Sequence, residues 1–179
     1  LFDLADQALA SPGLSHLRQI EAEALTVTLT DQRLGRSFDF GDGRLTLDNR
    51  SDALAAELAV SLQGAGGLPG RAVVQIVSMK GANEARIVAE FNDIAAADVA
   101  AQAPLLAPLG SLDAPISGRL AATMRASGIT ALEGALNIGK GALQPTKAAV
   151  PVLFDRASLA MSYDAPSGQV RLSNMEVDS

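Results

Sequence analysis

Few residues in this chain have the types and spacing that could do chemistry. Residues 134–141 (GALNIGKG) carry the two glycines and lysine of a phosphate-binding loop at the right separation. The next position is Gly141, where a Ser or Thr would hold magnesium, and Ala135 and Ile138 bound an extended, strand-like run where the motif needs a loop opening a helix. Asp39, Phe40 and Gly41 spell the metal-binding triplet of a protein kinase, with no His-Arg-Asp catalytic loop and no Gly-rich loop to accompany it. Asn49, Arg50 and Ser51 fit a glycosylation acceptor, which has meaning only in a eukaryotic secretory setting. His16 is the single histidine and there is no cysteine, so a nitrogen or sulfur metal site has too few ligands. Ser15 adjoins His16, but adjacency does not make a nucleophile–base pair. Asp31, Asp39, Asp42, Asp48 and Asp52 gather near predicted turns, where Asp bonds to local backbone, and they lack the ligand spacing of a calcium loop. The expectation is a non-enzymatic protein with no catalytic residue, no metal and no cofactor.

The elements that hold these residues are extended. With 179 residues the chain is large enough for one domain with a core, or for a section of a longer β array. Apolar residues make up 48% but aromatics only 3%, so packing relies on Ala, Leu and Val. A net charge of −6 argues against a nucleic-acid groove and against docking on an anionic bilayer. No apolar run reaches the roughly 20 residues of a membrane-spanning helix. The first residues (LFDLADQALASPG) lack the basic region and cleavage site of a signal peptide. Both ends read as mid-structure, which suggests an excised section.

Apolar and polar residues alternate through most of the sequence, the period of a half-buried strand. Leu25, Val27 and Leu29 alternate with threonines; Leu54, Ala56, Leu58, Val60 and Leu62 share one face of the clearest strand. Further strands are predicted at 37–40, 45–47, 71–80, 85–91, 116–125, 132–138, 159–163 and 170–172. Turns are predicted at 31–35, at 41–43 as a hairpin turn, at 64–70, 81–83, 127–128 and 165–168. Helices are predicted over 2–10 and 94–103, the second stopped by Pro104 and Pro108. The predicted fold is mainly β: about ten strands in a long, twisted, mostly antiparallel sheet with one or two short helices. Its organisation is a first meander over 1–92, a helix and Pro-rich link over 93–112, and a second meander over 113–179, all in one section of chain. Such a sheet has one apolar face, which must curl over or be covered. A curled sheet would form an apolar groove. The apolar residues expected to line it are Leu54, Leu58, Val60, Leu62, Val74, Ile76, Ile87, Phe91, Leu120, Met124, Leu132, Leu136 and Ile138. For 71–80 both faces are apolar, and a one-residue slip would invert the lining.

Several segments resemble, in order, the middle region of the YhdP-like branch of the AsmA-like proteins. They are 25–31 (LTVTLTD), 35–38 (GRSF), 43–47 (GRLTL), 91–93 (FND), 103–109 (APLLAPL) and 112–120 (LDAPISGRL), which together spread over most of the chain. The resemblance implies a Gram-negative envelope protein anchored in the inner membrane by a helix outside this chain. It further implies a periplasm-spanning β groove that conducts phospholipid between inner and outer membranes and supports outer-membrane integrity. The implied partners are phospholipid acyl chains, adjoining groove segments and envelope proteins, with no nucleic acid. The alternative is a structural β scaffold whose edge strands pair with a partner during outer-membrane assembly.

Overall fold

A computed structural model describes residues 17–31, 36–63, 69–100, 104–146 and 148–179, with the backbone alone at 27–31, 36–40, 62–63, 69 and 104–105. The described strands are β1 (Gln19–Asp31), β2 (Arg36–Asn49), β3 (Ala53–Gln63), β4 (Pro69–Met79) and β5 (Glu84–Ala95), then β6 (Leu112–Asp113), β7 (Pro115–Arg125) and β8 (Gly128–Ile138). They continue with β9 (Gly141–Leu143), β10 (Val152–Phe154), β11 (Arg156–Asp164) and β12 (Gln169–Asp178). The helix α1 covers Ala96–Ala100, and a 3-10 helix covers Pro104–Ser111.

Nine strands form one antiparallel sheet in the order β1-β2-β3-β4-β5-β7-β8-β11-β12, with β1 and β12 at its edges among the described residues. The order follows the sequence because alternating strands linked by short turns pair with their chain neighbours. The predicted mainly β fold, with a large antiparallel sheet and two short helices, is therefore present, and the sheet does not close into a barrel. The two predicted meanders are one sheet, since β5 pairs directly with β7. Strands of about 11 residues at ~3.3 Å per residue are roughly 36 Å long, and nine at ~4.8 Å spacing are about 38 Å wide.

The two ends of the sheet differ. One end carries the short links between β2 and β3, β4 and β5, β7 and β8, and β11 and β12, where Gly81, Gly128 and Gly168 supply positive φ. Two long insertions leave from the other end. The first holds α1, the 3-10 helix and β6; the second holds β9 and β10. They join as a three-stranded sheet in the order β10-β9-β6. Gly141 makes that junction possible: a Cβ there would collide with the Asp113 carbonyl and with Ala114.

Several expectations are corrected. Residues 41–43 are not a hairpin turn but a β-bulge inside β2, which merges two predicted strands. Both halves of β2 pair with long neighbours, and the register slips where Asp42 takes a φ of 49°. Gly43 sits so close to β1 that a Cβ would stand 2.9 Å from the Leu25 carbonyl oxygen. The helix predicted over 94–103 is shorter: Ile94 and Ala95 extend β5 and pair with Ile116 and Pro115. The Pro-rich link is a 3-10 helix containing Pro108. Pro69 and Gly70, placed in a loop by sequence, begin β4. The helix over 2–10, His16 and most of the 31–35 and 64–70 turns lie outside the described residues.

The four described non-glycine residues with positive φ, Ala24, Asp42, Asp93 and Asn174, each fall at a register slip. A bulge inserts one residue into a strand, and after glycine the left-handed conformation is best tolerated by Asp and Asn. The carboxylates of Asp42 and Asp93 thus mark bulges.

Candidate functional site

Partnered residues in an antiparallel ladder point to the same face, so the register decides which side chains share a surface. Leu54, Leu58, Val60 and Leu62 pair with Ser78, Val74, Ala72 and Gly70, and Ala56 with Ile76. Val74 and Ile76 pair onward with Ala89 and Ile87, and Ala72 with Phe91. Across β7 and β8 the partners include Met124, Leu120, Leu132, Leu136 and Ile138. Twelve of the thirteen residues named from the sequence therefore sit on one face, and the Leu62 backbone occupies the matching register position. The ambiguity over β4 is resolved: Val74 and Ile76 join that face, while Val73 and Val77 lie on the other.

Two rows of that face run across all nine strands without a polar residue. One is Ile20, Leu47, Ala56, Ile76, Ile87, Ala122, Leu132, Tyr163 and Val170. Two residues along each strand runs Ala22, Leu45, Leu58, Val74, Ala89, Leu120, Gly134, Met161 and Leu172. Leu45, Leu47, Met161 and Tyr163 were not among the thirteen, although the same alternation marks them. The opposite face carries cross-strand polar pairs: Gln75 to Glu57 at 2.8 Å, Arg125 to Glu84 at 2.9 Å and Arg119 to Glu90 at 3.6 Å. These exposed pairs each contribute little energy, but they fix which face meets water.

The apolar face is covered unevenly. Phe91, Leu132, Leu136 and Ile138 belong to a buried cluster with Ile94, Ile116 and Met161, roofed by Val99, Leu106, Leu109 and Phe154 from the two insertions. Leu120 packs against that cluster. Those four residues lie under a cap rather than on an open surface. Leu58, Val74, Ile76, Ile87 and Met124 are half-buried and outside the cluster. Leu54 and Val60 are buried, again outside it. The Leu62 backbone pairs with Gly70. The roofing residues carry no strand alternation, and only the apolar run around the prolines hints at them.

Two glycines shape the face. At Gly118, a Cβ would meet the Ala135 carbonyl oxygen and the Leu136 side chain. At Gly134, it would lie 2.7 Å from Leu120 Cδ2 and 3.0 Å from Met161 Cγ. Both are bare spots over which larger neighbours lean. Gly134 also opens the phosphate-loop-like stretch, and its neighbours through Ile138 are strand β8, so no loop cradle exists there. Lys140 instead hydrogen-bonds Asp155 at 2.8 Å. That bond lowers the Asp155 pKa and raises that of Lys140, with direct charge attraction adding to each.

A polar cleft lies at the short-turn end, beside Arg18, Asp48, Asn49, Arg50 and Lys80. Its groups are tied to the fold. Lys80 Nζ donates to Asn49 Oδ1 at 2.7 Å, Asn49 Nδ2 to the Leu17 carbonyl at 3.0 Å, and Arg50 Nη2 pairs with Asp48 at 3.4 Å. Among the described residues no group of His, Asp or Glu is placed to hold a metal. No described helix is long and apolar enough to cross a membrane. No family model, no curated protein and no solved structure matches the chain.

Proposed function

We propose that this chain is a non-enzymatic section of a β-groove conduit that carries phospholipid acyl chains between the inner and outer membranes of a Gram-negative envelope. It would lie in the periplasm, anchored by a helix outside this chain. The observation that carries the reading is the pair of apolar rows crossing nine antiparallel strands, with polar pairs on the opposite face. Outside the roofed cluster the two rows run over β1 to β5, roughly 19 Å at ~4.8 Å per strand, which has room for an acyl chain lying across the strands. The resemblance to the YhdP-like branch of AsmA-like proteins supports the same role.

The energetics fit a conduit. Burying an acyl chain of fifteen methylenes gains about 12 kcal/mol at ~0.8 kcal/mol each. A lipid already in a bilayer has that gain, so a transfer surface only needs to match it. An aliphatic lining with few polar anchors binds without trapping, whereas a ligand pocket would converge several polar groups on its cargo.

The decisive experiment is mass spectrometry of lipids extracted from the purified chain, against a mock purification and an Ile76→Asp variant. Ile76 is half-buried and outside the roofed cluster, so the variant should stay folded. Stoichiometric phospholipid that is lost in folded Ile76→Asp is the expected result. A folded wild-type chain free of lipid, tested with mixed phospholipid vesicles as donors, would overturn the reading. Leu132→Asp is unsuitable as the probe, because Leu132 is 4% exposed within the cluster and a buried carboxylate there would unfold the domain.

A further inference from the structure

The less covered half of the apolar face ends in a polar rim at the short-turn end of the sheet. Two residues beyond the row of Ile20, Leu47, Ala56 and Ile76, the ladder continues through Asn49, Leu54 and Ser78. Asn49 N donates to the Arg18 carbonyl at 2.7 Å, so Arg18 stands opposite Asn49. Arg18 also lies two residues before Ile20, which puts it on the same face. Lys80 is two residues beyond Ser78, and its Nζ donates to Asn49 Oδ1 at 2.7 Å. Arg18, Asn49 and Lys80 therefore extend the face that carries the apolar rows.

The charge there is not balanced. Lys80 bonds a neutral amide, which leaves two of its three N–H groups without a partner among the described residues. The Arg18 side chain makes no ion pair or hydrogen bond among the described residues. Both line a cleft of about 860 Å³, together with Arg50 and a single carboxylate, Asp48. Asp48 pairs with Arg50 at 3.4 Å and, next to Asn49 in β2, belongs to the opposite face. Asp52 accepts from Lys80 N through its carbonyl and does not line the cleft. Three cations against one carboxylate make a local positive site in a chain of net charge −6.

We propose that this rim binds the phosphate of an anionic phospholipid whose acyl chain lies on the apolar rows. The inference rests on the conduit reading and adds the class of headgroup. A guanidinium fork matches two phosphate oxygens, and an ammonium adds a compact charge beside it. The rim lies two residues from the nearest row, about 7 Å at ~3.3 Å per residue, so one lipid reaches both. Under the roofed half the same rung continues as Ala85, Met124 and Ile129, with no cation. Headgroup contact is thus confined to the part of the face that an acyl chain can reach. Arg18 and Lys80 are exposed, so water screens them and the cargo is held loosely enough to move on.

The test offers the purified chain vesicles of phosphatidylglycerol or of phosphatidylcholine with the same acyl chains. Retained lipid is measured by mass spectrometry, and circular dichroism verifies folding. The wild type is expected to retain the anionic lipid about tenfold better. R18Q/K80Q should lose that preference. R86Q/R119Q removes the same charge from the opposite face and should keep it. Equal retention of both lipids by the wild type would overturn the site and leave the conduit reading standing, whereas retention of neither would overturn both. A preference that survives in R18Q/K80Q, or is lost in R86Q/R119Q, would overturn the assignment to this rim. Inorganic phosphate alone, bound in equilibrium dialysis as tightly as phosphatidylglycerol, would make this a site for a free anion and overturn the headgroup role.

Discussion

The sheet is one continuous ladder, yet its two halves are built differently. Around β7, β8 and β11 the apolar face is roofed, and Ile116 and Leu136 are 0% and 2% exposed. Around β3 and β4 the same kind of face leaves Leu58, Val74 and Ile76 half-buried. Both halves show the same alternation, so strand pattern does not distinguish a closed core from an open face. What differs is the length of the connections. At β5–β7 and β8–β11 the chain makes long insertions that fold back over the sheet.

The sharpest way to break this contrast is to compare truncations in the two halves. Leu136→Ala opens a cavity in a packed cluster and should cost about 2–5 kcal/mol in urea unfolding. Leu58→Ala should cost roughly 1 kcal/mol, since a half-exposed side chain loses only part of its burial. Equal losses at the two sites would mean that the halves are equally closed.

Glycine substitutions sharpen the same comparison at closer range. Gly118→Ala drives a methyl into the backbone of Ala135, which cannot yield, and should cost about 1–3 kcal/mol. Gly134→Ala meets side-chain atoms alone, Leu120 Cδ2 and Met161 Cγ, which shift more easily than backbone, so its thermal midpoint should fall by less.

A smaller effect of opposite sign is expected at β1, on the less covered half. Ala24 holds a φ of 53° where the other described non-glycine residues of positive φ are Asp or Asn. Ala24→Gly should relieve that conformation and raise stability by about 1 kcal/mol. A fall in stability would show that the methyl group contributes packing that outweighs the backbone preference.

The smallest effect belongs to the capped end. The Lys140–Asp155 bond lowers the Asp155 pKa, so its contribution is present above the ordinary Asp value and disappears as pH falls through the lowered one. Lys140 is raised, so its share is present below the ordinary Lys value and fades as pH rises through the raised one. Both groups are fully exposed, and solvent screens them. Lys140→Met should therefore move the thermal midpoint only slightly at neutral pH, and not at all at a pH where Asp155 is protonated. A large shift at neutral pH would mean that the cap depends on this pair.

The sequence alone determined which residues within a strand share a face, because side chains in extended chain alternate with a period of two. Leu54, Leu58 and Val60 were legible for that reason, as were the turns at 81–83 and 165–168, where glycine accepts positive φ. Tertiary structure decided the rest. Residues 41–43 look like a turn, but long partners on both sides hold them in a strand and leave Asp42 as a bulge. Val73 and Val74 are equally apolar, and only pairing with β3 and β5 sends Val74 to the shared face. The cap over Leu132 and Leu136 depends on short apolar segments around Val99, Leu106 and Phe154. These segments have no period of their own, so what they cover is set by where the long connections leave the sheet.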